Sequence, residues 1–360
     1  MALPGLQRAT RHTFTLPAEP WRDLAELKLE ISIAPPATLK PGSSPPANPL
    51  VLYVFDPEPV LFGAAALHAY AGSGYFTSGR GPEAAFHRLY IVGIGHHPDA
   101  FAAGPSGWDG PGLRNLRRRD LPPLTHPALN PGQARVPNPA AQRLSTALAT
   151  SVFPHVETQL LGLRNRPQVR AALGASYTAV LALQILLHAP GALDAYILGS
   201  PSVPFDPEIL DWLRAAKPPL QTASAGGAAT TDDADAARPS AGAFIAYGAL
   251  EREEAPPEAE TAACVKVPLT SHAANVHRGI PDCSHALASL LRERGLVVDG
   301  AHEVEREDHT SLKLALVSQG ISWLMRHVAK HYGAAHGRTE AEKAAGVTTI
   351  EKAAGTVNLS

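Results

Sequence analysis

The chain has 360 residues, of which 45% are hydrophobic, and its 31 Lys and Arg nearly balance 33 Asp and Glu. That length and apolar content are sufficient for one large core and do not require a second domain. The charges are interspersed and leave no basic face for phosphates, which argues against a nucleic-acid partner. No apolar run has membrane-spanning length, and residues 1–16 lack the apolar core of a secretory signal. We therefore expect a cytoplasmic protein.

Cysteine and histidine usage gives little support for a disulfide scaffold or a metal site. The two cysteines, Cys264 and Cys283, are too few for a disulfide framework, and no CxxC spacing suggests zinc. Among the 16 histidines, the adjacent pair His96 and His97 is the most conspicuous. Neighbouring side chains in a strand or loop point in different directions, so the pair is poorly suited to share a metal. We expect no metal and no cofactor.

Short apolar segments alternate with helical segments along the chain. Residues 26–34 (ELKLEISIA) alternate between polar and apolar and predict an outer antiparallel strand. Five nearly continuous apolar runs, typical of strands covered on both faces, follow at residues 49–56, 88–95, 168–174, 193–200 and 243–250. Helices are predicted at residues 64–71, 142–162, 178–188, 285–294 and 311–331. The alternation predicts a doubly wound α/β fold, with a mostly parallel central sheet between two layers of helices.

Three segments do not fit this alternation. Residues 104–139 are dense in Pro, Gly and Arg and too long for an ordinary connection, so they predict a cap or a loose loop. Residues 218–242 are of low complexity and predict a disordered insertion. Residues 333–360 contain two similar EKAAG units without an apolar face and predict a flexible tail. We therefore expect a single domain over residues 1–332 with two insertions.

The junction at residues 168–186, QVRAALGASYTAVLALQIL, carries the main chemical signal. A buried strand ends near Gly174, turns through Ser176 and enters an apolar helix, which is the context of a nucleophile elbow in an α/β-hydrolase fold. Gly174 meets the need for a small residue where strand and helix come close. Thr178 stands where the G-x-S-x-G pattern has its second glycine, and this departure weakens the motif. Ser176 is the predicted nucleophile.

A serine hydroxyl is a weak nucleophile near neutral pH and needs a base. In this fold the base follows the last strand, late in the chain. HEVE at residues 302–305 predicts that strand, and REDHTS at residues 306–311 predicts the loop after it. His309 lies in this loop and is the candidate base. The alternative is a histidine that only starts a helix capped by Thr310.

The third member of such a site orients the imidazole and lies between serine and histidine in the sequence. Glu251 follows the predicted strand at residues 243–250 and is the first choice, with Glu253 next. Asp282 is a weaker alternative, and Asp308 is too close to His309 to turn back onto its ring. A Ser-His dyad without a carboxylate also stays open.

Two backbone donors are needed for the oxyanion that forms during acyl transfer. One is the amide of Tyr177, directly after the predicted nucleophile. The other is expected after the strand at residues 49–56. Pro57 has no N–H, so Glu58 is the first residue after Asp56 that can donate.

Six segments of the chain carry a family resemblance: YVFDPE (53–58), IVGIGHH (91–97), RNLRRRDLPP (114–123), GASYTAVLAL (174–183), LGSPSVPFD (198–206) and EREDHTSLKLAL (305–316). In this order they resemble an esterase family of α/β hydrolases that includes enterochelin and other siderophore esterases, with fungal cytosolic members. The resemblance covers about residues 26–328. Pro57 and Thr178 depart from the family's glycines.

The resemblance implies hydrolysis of ester bonds in a ferric siderophore, of hydroxamate type, which releases iron inside the cell. Arg117, three positions before Asp120, matches a family arginine and is expected to face an anionic chelate. Two other functions stay open at this point. One is an esterase or thioesterase for small acyl substrates. The other is a hydrolase-fold protein that binds a ligand without turnover, which Pro57 and Thr178 favour.

Overall fold

The computed structural model describes residues 8–16, 28–55, 59–75, 82–96, 125–126, 136–137, 139–216, 239–253, 279–309 and 311–332. Within these ranges, one sheet contains eight strands: β1 (Thr10–Thr15), β2 (Lys28–Ala34), β3 (Leu50–Phe55), β4 (Leu89–His96), β7 (Val169–Ala175), β8 (Ala195–Gly199), β9 (Gly242–Gly248) and β10 (Val297–Val304). Their order across the sheet is β1-β2-β4-β3-β7-β8-β9-β10. From β4 to β10 all neighbours are parallel, whereas β1 and β2 are antiparallel to their neighbours.

Helices cover both faces of this sheet. They are α1 (Pro59–Tyr75), α2 (Pro139–Ala147), α3 (Tyr177–His188), α4 (Glu208–Ala215), α5 (Leu250–Glu253), α6 (Ile280–Glu293) and α7 (Leu312–His331). Helix α2 continues through two π-helical turns, Leu148–Val152 and Val156–Leu160. Shorter 3₁₀ turns span Pro82–Arg88 and Val203–Phe205. None of the helices in the described part of the chain is long and apolar enough to cross a membrane.

The continuous apolar runs of the sequence are explained by two hydrophobic cores, one on each face of the sheet. All six residues of β3 are buried, and alternate side chains enter the two cores. Helices α2, α3, α4 and α6 contribute to one core, and α1 and α7 to the other. A strand of this kind has no polar face, because helices exclude water from both sides. The predicted three-layer α/β architecture is thus confirmed.

Two details of the sheet and its helices differ from the predictions. The predicted outer strand, β2, is the second strand from the edge, because β1 pairs along its whole length. Strand β1 (TRHTFT) has no buried residue, so its sequence carries no apolar pattern. Helix α4 was not predicted either. It is a short amphipathic helix that buries only Ile209, Leu210 and Leu213.

The two predicted insertions lie largely outside the described residues, as does the predicted tail at residues 333–360. In the first, Thr125–His126 (β5) pairs with Val136–Pro137 (β6) in a separate antiparallel ladder. Helix α2 already begins at Pro139. In the second, Gly242 is the first residue of β9 and so belongs to the sheet.

Candidate active site

Three predicted side chains meet at one edge of the sheet. Ser176 follows β7, Glu251 lies on α5 directly after β9, and His309 lies in the loop after β10. These strands run parallel, so their carboxyl ends share an edge, and ligands of open α/β sheets bind at that edge. Residues separated by 133 positions are therefore brought within hydrogen-bonding distance.

The turn that carries Ser176 is strained. Its φ and ψ are 60° and −123°, a conformation that non-glycine residues rarely adopt. The Ser176 N–H donates to the carbonyl of Gly199 at 2.8 Å, which ties the turn to the end of β8. At Gly174, an added Cβ would lie 2.4 Å from the backbone oxygen of Thr178. Only glycine lets the strand and helix come so close, so the local geometry is that of a nucleophile elbow.

Thr178, the departure from the G-x-S-x-G pattern, is built into this turn. Its hydroxyl donates to the carbonyl of Ala175 at 2.9 Å and accepts from the N–H of the same residue, also at 2.9 Å. The side chain is buried, with 5% of its surface exposed. The threonine therefore closes the elbow with a local side-chain bond, as short hydroxyl side chains do in turns.

A chain of hydrogen bonds joins Ser176, His309 and Glu251, which we call the candidate triad. His309 Nε2 lies 2.9 Å from Ser176 Oγ, and His309 Nδ1 lies 2.7 Å from Glu251 Oε1. The carboxylate only accepts, so the proton of the neutral imidazole is on Nδ1. Nε2 is then left to accept the proton of Ser176.

The carboxylate of Glu251 is completely buried and held by further donors. Its Oε2 accepts from the Ser200 hydroxyl at 2.7 Å and from the Gly248 N–H at 2.9 Å. These bonds compensate for removing a charge from water. They also fix the direction of Oε1, which faces His309. A Cβ at Gly248 would lie 2.2 Å from the backbone oxygen of Glu307, so the end of β9 packs directly on the loop of His309.

The carboxyl groups considered as alternatives to Glu251 lie elsewhere in the chain. Asp282 is exposed in the first turn of α6, where a negative charge stabilises the helix N-terminus. Glu253 ends α5, and its side chain is outside the described part of the structure. Asp308 accepts from the Ser311 N–H at 2.7 Å and donates its own N–H to Ser311 Oγ at 2.9 Å. This reciprocal pair closes the turn before α7 and holds the loop that carries His309.

The predicted oxyanion donors and the predicted substrate contact are only partly within the described residues. Tyr177 is the first residue of α3, so its backbone N–H follows Ser176 in the first turn of a helix. Glu58 and Arg117 lie outside the described residues, as does His97. Over the ranges that the structure describes, no group of three or more His, Cys, Asp or Glu side chains could hold a metal ion.

Two serines of the site were not singled out from the sequence. Ser200 and Ser202 lie in the turn after β8, and each is 1% exposed. Ser200 donates to Glu251, and the hydroxyl of Ser202 lies 2.9 Å from Ser176 Oγ. The only signal for them is their place in LGSPSVPFD, directly after a buried strand at the edge where the site forms.

Comparisons with known proteins agree on the fold. No protein-family model and no curated protein matches the sequence. Solved structures do match. Siderophore hydrolase EstA from Aspergillus nidulans has a TM-score of 0.58 at 21% identity, over 88% of this chain and 94% of the other. Siderophore hydrolase EstB from the same organism has a TM-score of 0.59 at 20% identity, over 91% of this chain and 97% of the other. The BES protein from Bacillus cereus has a TM-score of 0.55 at 18% identity, over 87% of this chain and 94% of the other. The chain therefore has the α/β-hydrolase fold that its sequence predicts.

Proposed function

We propose that this protein is a serine esterase, a carboxylic ester hydrolase in which Ser176 is the nucleophile, His309 the general base and Glu251 the acid that orients it. The observation that carries the proposal is the unbroken chain of hydrogen bonds from a hydroxyl on a strained elbow to a buried carboxylate. A binding protein without turnover has no need to bury a charge behind a histidine or to strain a serine.

In the first half of the reaction, Ser176 Oγ attacks the ester carbonyl while its proton moves to His309 Nε2. The imidazolium that forms is stabilised by Glu251, whose Oε1 accepts from Nδ1–H. The tetrahedral intermediate then collapses, and the C–O bond to the leaving alcohol breaks. The same proton passes from Nε2 to that alcohol, which leaves an acyl-enzyme on Ser176.

In the second half, a water molecule takes the place of the alcohol. His309 Nε2 removes its proton, the hydroxide attacks the acyl carbon, and the bond to Ser176 Oγ breaks. Oγ takes the proton back from Nε2, and the carboxylic acid leaves. In both halves the oxyanion is held by the backbone amide of Tyr177, with Glu58 proposed as the second donor.

We further propose that the substrate is an ester-linked siderophore, in ferric and hydroxamate form, whose cleavage releases iron in the cytoplasm. Two of the structural neighbours are siderophore hydrolases, and the sequence carries six segments that resemble siderophore esterases. In this proposal Arg117 contacts the anionic chelate.

The substrate is tested by comparing three esters: a ferric hydroxamate siderophore, a ferric catecholate siderophore and a short-chain nitrophenyl ester. We expect the ferric hydroxamate to have the highest kcat/KM. Arg117→Ala should raise KM for that substrate, by an amount equivalent to about 1.5–3 kcal/mol for one charge-assisted hydrogen bond, and leave the nitrophenyl ester unchanged. Arg214→Ala, on the exposed side of α4, is the matched control. Equal rates for the wild-type enzyme on all three esters would contradict the siderophore assignment.

A further inference from the structure

The Ser176 hydroxyl has a second partner besides the imidazole. Ser202 Oγ lies 2.9 Å from Ser176 Oγ, the same distance as His309 Nε2. A hydroxyl has one proton to donate and two lone pairs to accept with. The Nδ1–H of His309 is committed to Glu251, so Nε2 has to accept the only proton of Ser176. The proton between the two serines therefore belongs to Ser202, which donates to Ser176 Oγ.

The turn that carries Ser202 is fixed at several points. The Ser202 N–H donates to the carbonyl of Ser176 at 3.3 Å, so the two residues are joined through backbone and side chain. Two residues earlier, Ser200 donates its N–H to Ala246 at 2.7 Å and its hydroxyl to Glu251. Both serines are 1% exposed, so water competes little for their hydroxyls. Ser202 is thus held in place before any substrate arrives.

We propose that Ser202 is a further catalytic residue, whose hydroxyl donates to Ser176 Oγ and stabilises the charge that this oxygen carries when its proton is on His309. This inference rests on the proposed esterase function. Charge builds up on Oγ twice in the reaction, first as Oγ loses its proton and attacks, and again as Oγ leaves the acyl carbon. In the acyl-enzyme between these steps, Oγ is an ester oxygen and a weak acceptor.

A donor whose bond strengthens only as charge develops lowers the barrier without tightening substrate binding. Ser202 also leaves Oγ only one direction for its own proton, toward His309. Loss of the hydroxyl should therefore lower kcat without raising KM. The release of Oγ in deacylation should be affected most, because there the charged oxygen is the leaving group.

The test compares Ser202→Ala and Ser202→Cys with wild type on a short-chain nitrophenyl ester, with burst kinetics to separate acylation from deacylation. A neutral donor to a developing charge should be worth about ten- to a hundredfold in kcat, less than the loss of one oxyanion donor, which is roughly 100- to 1,000-fold. We expect such a loss for Ser202→Ala and a smaller one for Ser202→Cys, since a thiol is a weak donor. The matched control is Ser284→Ala on α6, a fully buried serine whose hydroxyl has no partner within the described ranges.

The pH profile separates this role from a structural one. Ser202 contacts Ser176 and not the imidazole. Ser202→Ala should therefore lower kcat at every pH, without moving the pH at which kcat falls on the acid side (the acid limb). A shifted acid limb would mean that the turn only supports the site and would overturn the proposal, as would kcat within threefold of wild type. If wild type itself hydrolyses no ester and does not react with a fluorophosphonate, the esterase function fails and this inference fails with it.

Discussion

Replacing Glu251 by glutamine tests the candidate triad at its most buried point, because the change keeps the volume and removes only the charge. The side-chain amide has one acceptor and one donor end, and the structure determines their directions. Ser200 Oγ and Gly248 N–H both donate to the Oε2 position, so the amide oxygen has to occupy it. The amide NH₂ group then faces His309 Nδ1, which lies 2.7 Å from Oε1.

That arrangement forces Nδ1 to accept and moves the imidazole proton to Nε2, where it faces Ser176. The base can then no longer take the serine proton, and the imidazolium loses its counter-charge. A tautomer error of this kind in a serine hydrolase costs about 10³–10⁴-fold in kcat, equivalent to about 4–5.5 kcal/mol. We expect that loss for Glu251→Gln on a nitrophenyl ester, with the melting temperature nearly unchanged.

Two variants of the alternative acids serve as controls for this measurement. Asp282→Asn, at the exposed start of α6, should retain wild-type kcat, and Glu253→Gln should lose little. Activity of Glu251→Gln within tenfold of wild type would refute the reasoning. The enzyme would then be a dyad or use another acid.

Three further predictions concern substitutions at two strained or crowded backbone positions and at one buried histidine. Ser176→Gly and Ser176→Ala should both abolish ester hydrolysis, because both lose the hydroxyl. The free energy of unfolding of Ser176→Gly should be about 1 kcal/mol higher than that of Ser176→Ala, because only glycine adopts a φ of 60° without strain. Thermal unfolding measures this difference, and a less stable glycine variant would contradict it. Gly248→Ala should lower both the melting temperature and kcat, because its Cβ would meet the backbone of Glu307 in the loop of His309; a variant with wild-type values in both would show that the loop yields freely. Burial and the neighbouring His331 lower the pKa of His327 from 6.5 to about 4, so protonation favours the unfolded chain. The contribution of neutral His327 to the free energy of unfolding should be fully present above pH 6.5. It should fall by about 3 kcal/mol as the pH drops from 6.5 to about 4. In urea unfolding, His327→Phe should flatten that slope, and an unchanged slope would assign it to other groups.

The architecture could be predicted because its strands are buried on both faces, which leaves continuous apolar runs in the sequence. Strand β1 could not, since its side chains are exposed or half-buried and its place at the edge depends on pairing with β2. The order of serine, acid and histidine along the chain indicated a shared sheet edge, and the structure has the three side chains in contact there.

The residues that hydrogen-bond to the candidate triad could not be predicted, because these bonds depend on how the ends of the strands meet. The pair Ser200 and Ser202 has no signature beyond a short turn after β8. Their partners come from the ends of β7 and β9, which only the folded sheet brings together. Thr178 illustrates the converse. In the sequence it is a departure from a glycine pattern, while in the structure its hydroxyl bonds to the elbow at Ala175.

The central claim, that Ser176 is an activated nucleophile, is tested most directly by covalent labelling with a fluorophosphonate. The reagent traps a serine whose proton an adjacent base can remove, with fluoride as the leaving group. Intact-mass and peptide-mass analysis should show one adduct per chain, on Ser176, and none in Ser176→Ala. Glu251→Gln should label far more slowly than wild type, since its histidine no longer accepts the serine proton. Absence of an adduct on Ser176 in the folded wild-type protein, or equal labelling of Ser176→Ala, would contradict the account.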